Sequence, residues 1–181
     1  MSKLDIRMAT PAQVSRLPEI ELRAAGLFGP DELPAAIANQ AAPLEDYQAA
    51  QARDRLIVAQ DETGVVTGFA HMIELDGRAH LEELDVDPDF GRRGIGSHLV
   101  RAACGWGQVR GFQSITLATF LDIPWNAPFY FRMGFKVLPA RSWSVALHRL
   151  RAHEGEMGLD LDRRVIMQRA IGVDDREFCP R

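Results

Sequence analysis

The sequence predicts a mixed α/β fold in one domain, with a central, mostly antiparallel twisted sheet of about seven strands flanked by helices. Two patterns carry this reading. Apolar runs of strand length alternate with turn residues through the middle of the chain, and a strand–helix–strand–helix–strand order closes it. Length and composition agree. The 181 residues, 46% of them hydrophobic, suit one domain spanning residues 1–181 with a full core. No repeat, low-complexity tract or linker divides them.

In chain order, Ile6-Arg7-Met8 reads as a first strand, stopped by Thr10-Pro11, a helix-start signal. Val14, Leu17, Ile20 and Leu22, with Ala24, Ala25 and Leu27, predict one helix with a broad apolar face, broken at Gly29-Pro30-Asp31. Residues 33–41 and 44–52 read as further short helices. Residues 56–59, 65–73 and 80–86 then predict an antiparallel meander, turned at Asp61-Glu62-Thr63-Gly64 and at Asp76-Gly77-Arg78. A glycine-rich loop follows Asp87-Pro88 and opens a helix whose apolar face is Ile95, Leu99, Ala103 and Trp106. Residues 114–119 read as a strand, 126–133 as a short helix closed by Gly134, and 135–137 as a strand. Residues 148–156 are helical, and 165–168 form the last strand.

Several classes are disfavoured at this level. A net charge of −4 gives no general attraction to nucleic acid. Residues 1–13 carry Lys3, Asp5 and Arg7 with no apolar stretch of signal length, and nothing later approaches a membrane span of roughly 18 apolar residues. Cys104 and Cys179 form neither a metal spacing nor a disulfide framework, and Cys104 falls in a helical, core-packing pattern. His71, His98, His148 and His153 have no ligand spacing. The expectation is a reduced, cytoplasmic protein without a metal.

The strongest local signal is Val86-Asp87-Pro88-Asp89-Phe90-Gly91-Arg92-Arg93-Gly94-Ile95-Gly96-Ser97-His98-Leu99. A strand enters a tight glycine turn and leaves directly into a helix. Such a turn aims several backbone N–H groups at one point, where the helix N-terminus adds partial positive charge. Gly94 and Gly96 let an anion approach the backbone, and Arg92 and Arg93 add charge where a diphosphate would sit. The segment lacks the Gly-Lys-Ser/Thr ending of a Walker loop, and Leu99 replaces the third glycine of a dinucleotide fingerprint. By itself the turn is equally a simple tight connection.

A second segment, Trp125-Asn126-Ala127-Pro128-Phe129-Tyr130-Phe131-Arg132-Met133-Gly134-Phe135, follows at suitable separation. Together the two motifs resemble the GNAT superfamily of acetyl-coenzyme A-dependent N-acetyltransferases, closely over residues 56–137 and more loosely beyond. The resemblance implies a single GNAT-like domain whose sheet is splayed at the coenzyme site. It implies that the strand of Leu84, Asp85 and Val86 binds the pantetheine arm through its backbone. It also implies that Gly91, Arg92, Arg93, Gly94, Ile95, Gly96 and Ser97 wrap the diphosphate, and that Asn126 and Phe129 hold the far side of the arm. Tyr130 matches the tyrosine that protonates the leaving thiolate in many members. One departure is Gly91, where the family usually has Gln or Arg; Arg92 is expected to supply the missing charge.

Acetylating an amine requires a neutral nucleophile, although alkylamines have a pKa near 10.4, so a base is needed at neutral pH. Tyr130 is the expected acid; a buried aromatic with a satisfied hydroxyl is the plainer alternative. For the base, Glu82 comes first, acting through a water, with His80 and Glu83 behind it; a solvated surface strand is the alternative. Leu81 and Leu84 both look core-directed, although strict alternation separates them. A β-bulge near Glu82 and Glu83 would reconcile them. Glu21 and Phe28 are the candidates for binding the acceptor, against a solvated helix glutamate and a core plug. Asp122, before Pro124, organises the turn or touches substrate. The expected acceptor is a small-molecule amine, with peptide or protein amines less favoured and a homodimer allowed. A coenzyme-binding sensor without turnover is the competing class, and a nucleotide-phosphate binder a weaker one.

Overall fold

The computed structural model describes residues 4–180, so the ends of the expected domain, 1–3 and 181, lie outside the described residues. Seven strands form one sheet: β1 (Asp5–Met8), β2 (Leu56–Gln60), β3 (Val66–Leu75), β4 (Arg78–Val86), β5 (Ser114–Phe120), β6 (Lys136–Val137) and β7 (Arg164–Ala170). Their order is β1-β2-β3-β4-β5-β7-β6, and every neighbouring pair is antiparallel except β4 with β5. The helices are α1 (Leu17–Ala25), α2 (Ala35–Ala38), α3 (Leu44–Ala52), α4 (Ile95–Val109), α5 (Ala127–Arg132) and α6 (Val145–Glu156).

Each face of the sheet buries its own apolar layer. On one face, Leu99, Val100, Ala103 and Trp106 of α4 and Tyr130 of α5 pack on Ile57, Ala70, Leu81, Ile115, Leu117 and Met167. On the other, Leu17 and Ile20 of α1 and Tyr47 and Ala50 of α3 pack on Leu56, Val58 and Phe69. Strands covered on both faces read as continuous apolar runs rather than alternating ones, which is why residues 56–59 carry no polar side chain. No helix among the described residues is long and apolar enough to cross a membrane.

Four differences from the sequence reading have local causes. The single first helix is split into a 3-10 turn, Pro11–Arg16, and α1. Pro18 has no N–H to continue the ladder, and its ring clashes with the carbonyl four residues back. The helix expected over residues 33–41 shrinks to α2, which buries no side chain and so gains nothing from extension. Helix α6 begins at Val145 rather than His148, because the Ser144 hydroxyl caps it by accepting from the Leu147 N–H. A 3-10 segment, Val173–Phe178, was not expected at all.

That last segment lies along α4 at Gly105. A Cβ there would stand 2.5 Å from the Cys179 N, 2.7 Å from the Phe178 C and 2.8 Å from the Asp175 O, all backbone atoms. Alanine is the better helix former by about 1 kcal/mol, but overpacking costs about 1–3 kcal/mol. Gly105→Ala is therefore expected to lower the melting temperature by about 2–6 °C. Limited proteolysis should cut its C-terminal segment sooner than that of the wild type.

Candidate active site

Strand β4 holds the site because it gains one residue on its neighbour. Opposite β3, His71 pairs with Glu83 and Met72 with Leu81, leaving Glu82 without a partner. This bulge reverses the alternation. Leu81, Leu84 and Val86 all join the apolar layer under α4, while Glu83 and Asp85 turn to the side of α1. On its other edge β4 pairs with β5 only through Ala79, His80 and Leu81, opposite Ile115, Thr116 and Leu117. Both strands run on, to Val86 and Phe120, so they part and leave an edge of β4 with free backbone donors and acceptors.

The loop beyond β4 is fixed by Asp87, whose side chain is 1% exposed. Arg16 donates to its Oδ2 at 3.0 Å and Arg23 to its Oδ1 at 2.9 Å, and the same Oδ1 accepts from the Asp89 N–H at 3.1 Å. After a 3-10 turn at Pro88–Phe90, Arg92 takes φ +59° and Gly94 φ +79°. A non-glycine residue in the left-handed region is uncommon, and its cost of about 1–3 kcal/mol is tolerated where the local geometry serves a purpose. Among the described residues no carbonyl or side chain accepts from the amides of Arg92, Arg93, Gly94, Ile95, Gly96 or Ser97. They form a concavity at the positive end of α4. Arg92 is exposed and makes no ion pair among the described residues, whereas Arg93 turns back onto the Asp89 carbonyl and the Phe90 ring. Gly91 lies at φ −57° and caps the 3-10 turn. The Ile95 side chain is buried in the core, so only its backbone faces outward. A Cβ at Gly96 would lie 3.6 Å from Phe129 Cζ and 4.0 Å from Val86 Cγ2, at ordinary contact distance.

From the other side of the gap, α5 brings Asn126, Phe129 and Tyr130. The Thr119 hydroxyl donates to Asn126 Oδ1 at 2.7 Å, while Asn126 Nδ2 is buried with no partner among the described residues. An unpaired buried donor is costly and suits a ligand carbonyl. Phe129 stacks edge-on against Tyr130 at 5.0 Å. The Tyr130 ring is buried, and its hydroxyl has no hydrogen-bond partner among the described residues. Burial, and next the charge of Asp85, push its pKa upward, so it stays protonated at neutral pH.

A cavity of about 240 Å³ opens where β4 and β5 part, lined by Glu82, Glu83 and Asp85, by Asn126 and Tyr130, and by Glu21 and Phe28 from above. Phe28 rests on Phe120 at 5.8 Å and on Trp125 at 6.0 Å. Glu21 is no solvated helix glutamate: its Oε2 accepts from the Tyr47 hydroxyl and from the Ala42 N–H. Burial, then the charges of Asp85 and Glu21, raise the pKa of Glu83 well above the carboxylate range. Burial and the charge of Glu21 also raise that of Asp85, against a hydrogen bond from Glu83 that lowers it. The Glu82 carboxyl, 40% exposed, is raised by the surrounding walls and by Glu154. His80 is 1% exposed and absent from the cavity lining, out of an acceptor's reach. Burial lowers its pKa to about 4, so it is neutral. Its Nδ1 lies 2.8 Å from the Thr116 hydroxyl, itself 3.3 Å from the Ala79 carbonyl, and its Nε2 lies 3.6 Å from Glu82. If Thr116 donates to that carbonyl, His80 Nδ1 carries the proton and Nε2 offers a lone pair toward Glu82.

Sequence reasoning missed three groups. In the sequence Asp87 marks only the start of the glycine-rich loop, and Tyr47 carries no signal of its own. Arg164 also lines the cavity, held by Glu154. Asp122 does organise its loop, pairing with Arg163 at 2.8 Å.

A free strand edge, a cup of unpaired amides on a helix N-terminus and an orphaned asparagine donor together fit an extended arm that ends in a diphosphate. That defines a coenzyme A-dependent acyltransferase. The sequence matches the acetyltransferase (GNAT) family over residues 23–135, and the chain belongs to that family. Its co-substrate is acetyl-CoA. Solved structures of similar fold include a GNAT-family acetyltransferase from Staphylococcus aureus Mu50 (16% identity, 94% of this chain and 100% of that one, TM-score 0.68). N-acetylglutamate synthase from Neisseria gonorrhoeae, solved with coenzyme A and N-acetyl-glutamate, is another (14% identity, 95% of this chain, 36% of that one, TM-score 0.69). A third is the ribosomal-protein-S18-alanine N-acetyltransferase from Escherichia coli (18%, 94% and 96%, TM-score 0.62). At these identities the likeness is one of fold.

The paired carboxyls make a pH test. Their folded pKa values lie above the unfolded ones, so their stabilising share is full in acid and is lost as pH rises through the folded values. Glu83→Gln removes one of the competing charges. It is expected to raise the melting temperature by about 2–4 °C at pH 8 and to leave it nearly unchanged at pH 5, read by calorimetry.

Proposed function

We propose that residues 1–181 form one catalytic domain that transfers the acetyl group of acetyl-CoA to a primary amine of a small molecule. The observation that carries the acceptor class is the acid-lined cavity of about 240 Å³ under α1. It lies below the roughly 300–1,000 Å³ usual for drug-sized ligands, and its carboxylates attract a cation while Phe28 offers apolar contact. A cytoplasmic location fits two free cysteines, Cys104 and Cys179.

Bound acetyl-CoA supplies a thioester carbonyl that an amine can attack directly. The β4 edge at Leu84, Asp85 and Val86, with Asn126, holds the pantetheine arm, and Phe129 braces Tyr130. The amides from Arg92 to Ser97 hold the diphosphate, with Gly91 shaping the turn and Arg92 adding side-chain charge. Glu82 takes the amine's proton, through a water. His80 is a positioning residue behind Glu82. Tyr130, kept protonated by its surroundings, donates from its hydroxyl to the departing sulfur.

A thiol-release assay against polyamines, amino acids, aminoglycosides and peptides tests this reading. Release is expected with small amines; coenzyme binding without release across the panel would make the chain a sensor. Tyr130→Phe should lower kcat by about 100-fold, the usual weight of a general acid. Glu82→Gln should cost most at low pH, and the loss should shrink as pH nears the amine pKa of about 10.4, where the acceptor needs no base. A pH–rate profile unchanged by that substitution would remove Glu82 from the role.

A further inference from the structure

The cavity carries more negative charge than acetylating one amine requires. Glu21 comes from α1, and Glu83 and Asp85 from β4, into a lining that also holds Ala25, Phe28, Leu33 and Ile37. Both donors to Glu21, the Tyr47 hydroxyl and the Ala42 N–H, sit on Oε2, so Oε1 has no donor among the described residues. Asp85 Oδ2 is buried, lines this cavity and has no hydrogen-bond partner among the described residues. Its carboxyl is offered only the proton that it shares with Glu83, and no cation.

The remaining groups around the recess supply none. Tyr47 is committed to Glu21, Glu82 is a further acid, and Tyr130 faces the thioester in the proposed mechanism. Arg164, the one cationic side chain in the lining, spends its Nε on Glu154 Oε1 at 3.1 Å and packs over the Phe120 ring. The reacting amine cannot balance the recess either, because it must be neutral when it attacks. A fixed cation elsewhere on the acceptor can.

We infer that the recess formed by Glu21, Glu83 and the unpartnered Asp85 Oδ2 holds a second ammonium group of the acceptor, which is therefore a diamine with an apolar spacer. The reactive nitrogen lies at the gap between β4 and β5, and the spacer runs along Phe28, Leu33 and Ile37. An acceptor bearing a carboxylate at that distance meets Glu21 and the proton-sharing Glu83–Asp85 pair, all acids, and is rejected. The proton shared by Glu83 and Asp85 leaves when the ammonium enters, since a cation within a few ångströms favours the ionised carboxylates.

This inference rests on the acetyltransferase reading, and the test separates the two. In the thiol-release assay, kcat/KM for 1,4-diaminobutane and 1,5-diaminopentane should exceed that for butylamine and pentylamine by about 100-fold, and 4-aminobutanoate should fall below butylamine. In Glu21→Gln/Glu83→Gln the diamine-to-monoamine ratio should drop by about tenfold or more, a readout that general damage to the site does not move. Equal rates for diamines and monoamines in the wild type, or a ratio kept by the double variant, would overturn the inference. Should every amine prove inert, the acetyltransfer reading fails, and calorimetric titration of the wild type with coenzyme A bound decides the recess. Binding of 1,4-diaminobutane but not of butylamine supports it; binding of neither, or of both alike, removes it.

Discussion

One surplus residue in β4 sets the active site. The run Leu81-Glu82-Glu83-Leu84-Asp85-Val86 cannot be laid in a regular ladder without turning either Leu84 or the acids the wrong way. Under α4, Glu83 and Asp85 would be charged groups in an apolar core, a penalty no partner there offsets. The bulge at Glu82 removes that conflict by shifting the alternation once. The added local twist of a bulged strand also explains why β4 and β5 cease to pair after three residue pairs. The gap, the free edge and the acid-lined cavity are consequences of the same step.

The bulge would be of little use if α1 were free to drift, and Asp87 prevents that. It is a buried carboxylate one residue past the strand, held by Arg16 before α1 and by Arg23 within it. Removing either guanidinium leaves a buried charge short of partners, so the clamp is more specific than a surface ion pair. With Arg23 pinned at the end of β4, Glu21 on the same helix comes to overlie Glu83 and Asp85. Three arginines are thereby occupied: Arg16 and Arg23 by Asp87, and Arg164, which lines the cavity, by Glu154. What remains is an acidic cleft on one side and an exposed Arg92 beside unpaired amides on the other.

Local patterns were legible in the sequence, and long-range pairings were not. The loop from Gly91 to Ser97 could be read because a turn and a helix start are written in adjacent residues. The bulge could be inferred because Leu81 and Leu84 sit one position out of phase. Strand boundaries came within about two residues because turn residues flank the apolar runs of the sheet. The Asp87 clamp joins residues 64 and 71 positions apart, and Glu21 meets Tyr47 across 26. Such contacts leave no periodicity. The 3-10 segment Val173–Phe178 was invisible for a related reason: its cue is a glycine inside α4, where Gly105 looks like a weak helix former instead of a seat for backbone.

The bulge also separates two adjacent glutamates that the sequence cannot tell apart. A general base must accept a proton in the complex and then surrender it to water before the next turnover. Glu83 starts with its proton already shared with Asp85. Glu82 sits on the unpaired residue itself, with its carboxyl 40% exposed, and its raised pKa makes it a better acceptor than a free surface glutamate. His80 stands behind it as a neutral ring anchored by Thr116. A protonated histidine at 3.6 Å would stabilise the carboxylate and weaken it as a base, so burying that ring preserves the basicity of Glu82. In the proposed mechanism the division follows from where the chain is unpaired: the exposed glutamate moves protons, and its half-buried neighbour faces the recess.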